Sequence, residues 1–291
     1  MNNLGLHNMN MNNGGRRDFL AKIGLLSGAM ILGNRSYGSE LGRAARFNLR
    51  PEMDAVHVYC TGNLNNRINF LTELPDAVQT ENALWLSAGN FVHANGQYQA
   101  TVAKMNQQGY QVAAIGENEW ALGDRKLLKL AKECDFSLVK SHGKGYASDW
   151  QTWIKPYEII WLGHRSVAVV AMGPSEGAEK DLQAWQETEA WAKKLKEDSG
   201  CDMVVCLMPQ GYDKRFVEDC VGGSRSIDVI NCAGLTEAKA SNGIMKNANG
   251  HDVIVQVGHE QGNTIAKQVY SLERDGLVLP QQITHKELKS I

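Results

Sequence analysis

An α/β fold is predicted by three observations. Short apolar runs of strand character recur along the chain, helix-period segments separate them, and the last part of the sequence changes to strand patterns joined by tight turns. DAVHVYCT (54–61) and ALWLSAG (83–89) are short, apolar and end in small or polar residues, as strands do. YQATVAKMNQQG (98–109) reads as a helix with Val102, Ala103 and Met105 on one face, closed by Gly109, which tolerates the positive φ of a helix end. QVAAIG follows as a strand, then helix DRKLLKLAKEC (124–134) and strand FSLVK (136–140). KPYEIIWL (155–162) and RSVAVVAM (165–172) are two strands separated by Gly163 and His164, which is hairpin length.

The longest helix, 178–200, carries Leu182, Trp185, Ala192 and Leu195 at helical spacing as its buried side and ends at Gly200. DMVVCLM (202–208), a helix near 213–220 and SIDVINCAG (226–234) continue the alternation. IMKNANGHDVIVQVG, NTIAKQVYSLERDG and LVLPQQIT then read as strands with turns at NANG and RDG, so a second, largely antiparallel sheet is expected beside the first.

With 291 residues, the chain is long enough for one large domain or two small ones with a substantial core. Its composition, 43% hydrophobic and 21% charged, is that of a globular protein. The N-terminus departs from it. An asparagine-rich start leads to Arg16 and Arg17, directly before Phe19 and Leu20, and an apolar run from Ile23 to Leu32 follows. That run is shorter than the roughly 20 residues that span a bilayer, and the pattern reads as a twin-arginine export signal over residues 1–38. The alternatives are a first helix with basic residues at its start or a membrane anchor. Residues 39–291 then form a single domain, located in the periplasm or cell envelope. Loss of residues 1–38 removes four basic residues and one acidic, leaving 26 against 31 and a formal charge of −5. With that sign and no lysine-arginine stripe, nucleic acid is not an expected partner.

Six cysteines, at 60, 134, 201, 206, 220 and 232, include no CxxC pair, so the zinc and redox patterns fail. Cys60, Cys206 and Cys232 lie in or at the end of predicted strands and are expected as core thiols; a Cys201–Cys220 disulfide is the alternative.

Ligands of α/β domains sit at the carboxyl ends of sheet strands. Five segments occupy such places: TGNLNNR (61–67), SAGN (87–90), IGENEWALG (115–123), LMPQG (207–211) and CAGLTEA (232–238). Their order and spacing resemble the metallophosphoesterase (calcineurin-like) domain of the 5'-nucleotidase family, in which the same places carry NDxH, GD, GNHEFD, SHxG and GHxH. MNQQGYQVAAIG, KPYEI with RSVAVVAM, and VIVQVGHEQGNTIAKQVYSLERDG extend the likeness over roughly residues 53–284. The resemblance implies a four-layer αββα sandwich and, for an intact member, phosphoric ester hydrolysis by two bound metal ions.

The resemblance also implies which positions would hold those metals. They are Asn63, Asn65, Asn90, Glu117, Pro209, Gly234 and Thr236; the catalytic histidine falls on Asn118 and its partner aspartate on Ala121. Two adjacent divalent cations need bridging carboxylate and imidazole nitrogen, and their work is to generate hydroxide and clamp phosphoryl oxygens. Of the seven positions, only Glu117 offers a strong ligand, so a non-catalytic relative without cofactor is expected, acting as a binding or scaffold subunit with a protein partner in the envelope. An active phosphatase or 5'-nucleotidase with an unfamiliar or partner-completed ligand set, using divalent metal ions, is the alternative. Glu117, Glu119, His93, His142, Cys60, Cys206 and Cys232 are the residues from which such a set would be drawn. Glu119 also reads as an acceptor that braces its loop.

The amides themselves allow two readings. Neutral side chains that bond one another are a sensible filling for a site without metal. A mouth formed by Asn63, Asn65, Asn90, Glu117, Asn118 and His142 is instead a candidate pocket for a small polar ligand such as a sugar or nucleoside. Many members of the resembled family carry a C-terminal nucleotide-binding domain, and none is expected in this sequence.

Overall fold

Strands buried on both faces need cover on both sides, and this chain supplies it with two sheets and two helical layers. The computed structural model describes residues 55–67, 83–93, 95, 98–143, 152–162, 165–235, 241–258, 264–272 and 278–287. The expected export signal, Gly163 and His164, Thr236 and the RDG turn lie outside the described residues.

Among the described residues, the first sheet has seven strands. β1 (Ala55–Thr61), β2 (Ala83–Ser87), β3 (Val112–Ala114), β4 (Ser137–Val139) and β5 (Ile154–Lys155) run parallel in that order, and β12 (Thr264–Leu272) and β13 (Val278–Glu287) add antiparallel on the free side of β1. The second sheet has six strands among the described residues. Its order is β10 (Ser241–Lys246), β11 (Asp252–Val257), β9 (Val229–Cys232), β8 (Met203–Met208), β7 (Arg165–Ala171) and β6 (Tyr157–Leu162).

This sheet is mixed, contrary to the largely antiparallel one expected. β7, β8, β9 and β11 are parallel, and only the edge strands β6 and β10 run against them. The terminal hairpins do not form a sheet of their own: β10–β11 docks through β11 on β9, while β12–β13 closes the first sheet. The strand expected over 155–162 is also divided. Lys155 pairs in the first sheet and Tyr157 starts a strand of the second, with Pro156, which has no N–H to give a ladder, between them. Ser141 ties the sheets at this point, its hydroxyl donating to Pro156 O at 2.6 Å and accepting Ala171 N–H at 2.8 Å.

Period-two alternation sorts the side chains into layers. On β1, Val56, Val58 and Cys60 join Leu84, Leu86, Val167, Val205 and Tyr270 between the sheets. Tyr59 points the other way, into the layer of α1 (Gln99–Gln108), α2 (Glu117–Ala121) and α3 (Asp124–Glu133). The outer face of the second sheet is covered by α4 (Ala178–Glu197) and α5 (Lys214–Gly223) through Trp185, Ala192, Leu195, Val217 and Val221.

Helix ends follow their local chemistry. Gly109 closes α1 at φ 80°, and Asp213 caps α5 by accepting Phe216 N–H at 2.7 Å. Two side-chain expectations are corrected. Ala103 is exposed while Thr101 takes the buried place on α1, and Leu182 is 53% exposed because α4 presents Asp181, Ala184 and Trp185 to the sheet instead. All six cysteines are buried free thiols, so the Cys201–Cys220 disulfide is not formed.

The two leucines give a contrast. Leu86 is wholly buried between the sheets, and Leu86→Ala should lower the unfolding free energy by about 2–5 kcal/mol. Leu182→Ala, at an exposed helix position, should stay within about 0.5 kcal/mol of wild type. Urea unfolding of both variants measures this.

Candidate functional site

The loop after β1 bends through three left-handed residues, Asn63 (φ 55°), Asn65 (48°) and Asn66 (63°), and the loop after β2 turns at Asn90 (55°). Asparagine enters this region more readily than other residues with a side chain because its short amide bonds locally. The two loops are laced by backbone bonds, with Asn63, Asn65 and Asn66 N–H donating to Gly89, Asn90 and Phe91 O at 3.0, 3.0 and 3.2 Å.

The side-chain amides then bond one another. Asn90 Nδ2 donates to Asn63 Oδ1 at 3.1 Å, Asn63 Nδ2 to Ala233 O at 3.1 Å, and Asn65 Nδ2 to Asn63 O at 3.0 Å. Asn118 contributes its N–H to Asn90 Oδ1 at 3.0 Å and its Nδ2 to Asn65 Oδ1 and to Val92 O. Asn66 Oδ1 accepts the Thr101 hydroxyl at 2.9 Å. Close backbone approach completes the closure: a Cβ on Gly62 would come 2.5 Å from Ala233 Cα, and one on Gly116 would come 2.3 Å from Asn90 Oδ1.

Glu119 braces the frame from beneath, as its reading from sequence expects. Its carboxylate is fully buried and accepts N–H groups from Asn90 and Val92 at 2.9 Å and from Gly116 at 2.8 Å. Burial pushes this carboxyl up to about 7, with the backbone amides pulling it down.

The remaining residues singled out from sequence do not join this network. Glu117 and Ala121 stand exposed on α2. Pro209 is buried at the end of β8 and Gly234 after β9, and neither has a side-chain ligand atom. His93 is exposed, its Nδ1 accepting Asn95 N–H at 3.2 Å. Cys60, Cys206 and Cys232 are core thiols that burial holds protonated, Cys232 up to about 12.

His142 belongs to a different place. It lies on a cavity of about 220 Å³ with Lys140, Glu176, Asp181 and Glu187, beyond the ends of β4 and β7. Its Nε2 accepts Gly173 N–H at 2.8 Å, and burial together with Lys140 holds the ring down to about 4, so it is neutral at neutral pH. Lys140 also reaches α2, its Nζ 4.5 Å from the ring centre of Trp120. Sequence reasoning did not single out Lys140 or Gly173. Their meeting depends on two strands in different sheets, which no local pattern announces.

The donor set does not suit a pair of divalent cations. Such ions need anionic oxygen or imidazole nitrogen. Here the groups that meet are neutral amides: Asn63, Asn65 and Asn90 each have Oδ1 accepting an N–H, and their Nδ2 groups donate to Ala233 O, Asn63 O and Asn63 Oδ1 respectively. Among the described residues, no three His, Cys, Asp or Glu side chains gather in a metal-holding group.

Glu119 makes the frame sensitive to pH. An ordinary carboxyl titrates near 4.5 and the folded one near 7, so the folded state holds the proton more tightly. That contribution is fully present below about 4.5 and is lost as pH rises through 7, with a full size of about 3 kcal/mol. Glu119→Gln, which carries no titrating group, should flatten this limb of the stability profile in urea titrations between about pH 4 and 8.

No protein-family model matches the sequence, and no curated protein matches it. Solved structures do. A 5'-nucleotidase precursor from Thermus thermophilus is 16% identical with a TM-score of 0.65, over 80% of this chain and 54% of that one. The NAD nucleotidase of Haemophilus influenzae is 15% identical with a TM-score of 0.63, over 80% and 50%. The calcineurin-like phosphoesterase YfkN of Bacillus subtilis is 15% identical with a TM-score of 0.60, over 80% and 90%. This chain spans about half the length of the first two. At these identities the likeness is one of fold, and the two mixed sheets between helical layers are the four-layer sandwich of the 5'-nucleotidase and calcineurin-like metallophosphoesterases.

Proposed function

We propose that this chain is a non-catalytic relative of the 5'-nucleotidase metallophosphoesterases, exported by the twin-arginine route and serving in the cell envelope as a binding or scaffold subunit. The observation that carries the proposal is the closed amide network at the strand ends. Where a hydrolase of this fold class would gather metal ligands, Asn63, Asn65, Asn90 and Asn118 spend their hydrogen-bonding groups on one another and on Ala233 and Val92. Without metal there is no bound hydroxide and no clamp for a phosphoryl group. The fold then has value as a surface, and a protein partner is the reading that uses it.

The same network weighs against the small polar ligand. An incoming sugar or nucleoside would have to break amide–amide bonds already made, and well-satisfied buried polar groups gain little by exchange. The reading as filling therefore fits better than the reading as pocket.

Elemental analysis and a phosphatase assay test the proposal together. Protein purified after growth with Zn, Mn, Fe and Co should contain no stoichiometric metal and should not hydrolyse p-nitrophenyl phosphate or nucleoside monophosphates. Stoichiometric metal with hydrolysis that disappears in Glu117→Ala would mean an active enzyme with an unfamiliar ligand set. The export half of the proposal rests on Arg16 and Arg17 before the apolar run Ile23–Leu32. Changing both arginines to lysine should leave the protein in the cytoplasm, which cell fractionation reads directly.

A further inference from the structure

Between the sheets, at the end nearest the closed loops, the otherwise apolar layer contains amides. Asn231 on β9 and Gln256 on β11 are neighbours across a parallel pair and are both 1% exposed. Gln268 on β12 faces them from the other sheet. Its Nε2 donates to Asn231 Oδ1 at 2.7 Å, and its Oε1 accepts the Tyr270 hydroxyl at 2.5 Å. That leaves Asn231 Nδ2 and both polar atoms of Gln256 with no protein partner.

Asn231 and Gln256 also line a small cavity. It offers about 10 Å³ in which the centre of a water molecule can lie, and Cys60, Gly62, Asn231, Gln256, Gly258 and Ala266 line it. Its upper wall is tight, since a Cβ on Gly62 would strike Ala233 Cα and one on Gly258 would come 2.8 Å from Ala233 O. Space of this size is about what one water needs. Buried amide groups removed from solvent without a partner destabilise a fold, and an internal water is the common remedy where polar partners surround a cavity of this size.

We propose that this cavity is a binding site for a single long-lived water, which accepts from Asn231 Nδ2 and donates to Gln256 Oε1. The water completes a polar chain from Tyr270 through Gln268 and Asn231 to Gln256. That chain crosses from the first sheet to the second, linking β12 with β9 and β11. The alternative fillers fail on chemistry. Chloride is too large, and ammonium has one acceptor, Gln256 Oε1, against donors from both amides.

Two measurements on the full chain test the site. A high-resolution crystal structure should show a water within hydrogen-bonding distance of both Asn231 Nδ2 and Gln256 Oε1. Oxygen-17 relaxation dispersion should count one fewer long-lived water in Gln256→Met than in wild type. A turned pair of amides bonded directly to each other, an empty cavity, or density too strong for water overturns the proposal. So does an unchanged water count in the variant. If Gln256→Met does not fold, the wild-type crystal structure decides alone.

Discussion

A single carboxylate, that of Glu119, holds three backbone N–H groups from two different loops, and the geometry of the strand ends depends on it. Asn90 and Val92 follow β2 while Gly116 follows β3, so one side chain sets the relative height of two loops. The arrangement is costly in charge and rich in hydrogen bonds. Burial opposes ionisation and the amides favour it, which leaves the carboxyl near neutrality. Anything built at this end of the sheets inherits that frame.

Asparagine solves two problems on the frame at once. Four positions must take left-handed backbone conformations, which most residues with a side chain avoid, and two of them, Asn63 and Asn90, are buried and bonded to each other. Aspartate also tolerates the backbone, but several carboxylates packed together without metal would repel one another and lose solvation. The amide is nearly isosteric, neutral, and supplies donor and acceptor from one group. The turns at the strand ends are thus held by direct hydrogen bonds between neutral amides.

The apolar layers beneath are less particular. Between the sheets, Val, Leu and Ala fill the space by volume, and the polar chain of Tyr270, Gln268 and Asn231 runs through them, Tyr270 beside Val56 near the start of β1 and Gln268 beside Val58. Apolar contacts tolerate small shifts in register, whereas a hydrogen bond of 2.7 Å between residues of opposite sheets does not. A specific polar contact between the sheets therefore fixes what the apolar layer stabilises without orienting.

The sequence by itself determined the alternation of strands and helices, the glycine that closes α1, the core placement of the cysteines and the loop-bracing role of Glu119. Each is a local property, set by periodicity, by side-chain volume or by an acceptor close to its own loop. The four-layer arrangement was implied by the family resemblance that the five strand-end segments carry. Only the tertiary structure decided which sheet each terminal hairpin joins, that the chain changes sheets at Pro156, and that Leu182 faces solvent while Asp181 does not. It also decided that Asn63, Asn90 and Asn118 bond in sequence while His142 sits on another cavity with Lys140. Such facts arise from contacts between residues tens to more than a hundred positions apart, whose energies depend on distances that a chain acquires only by folding.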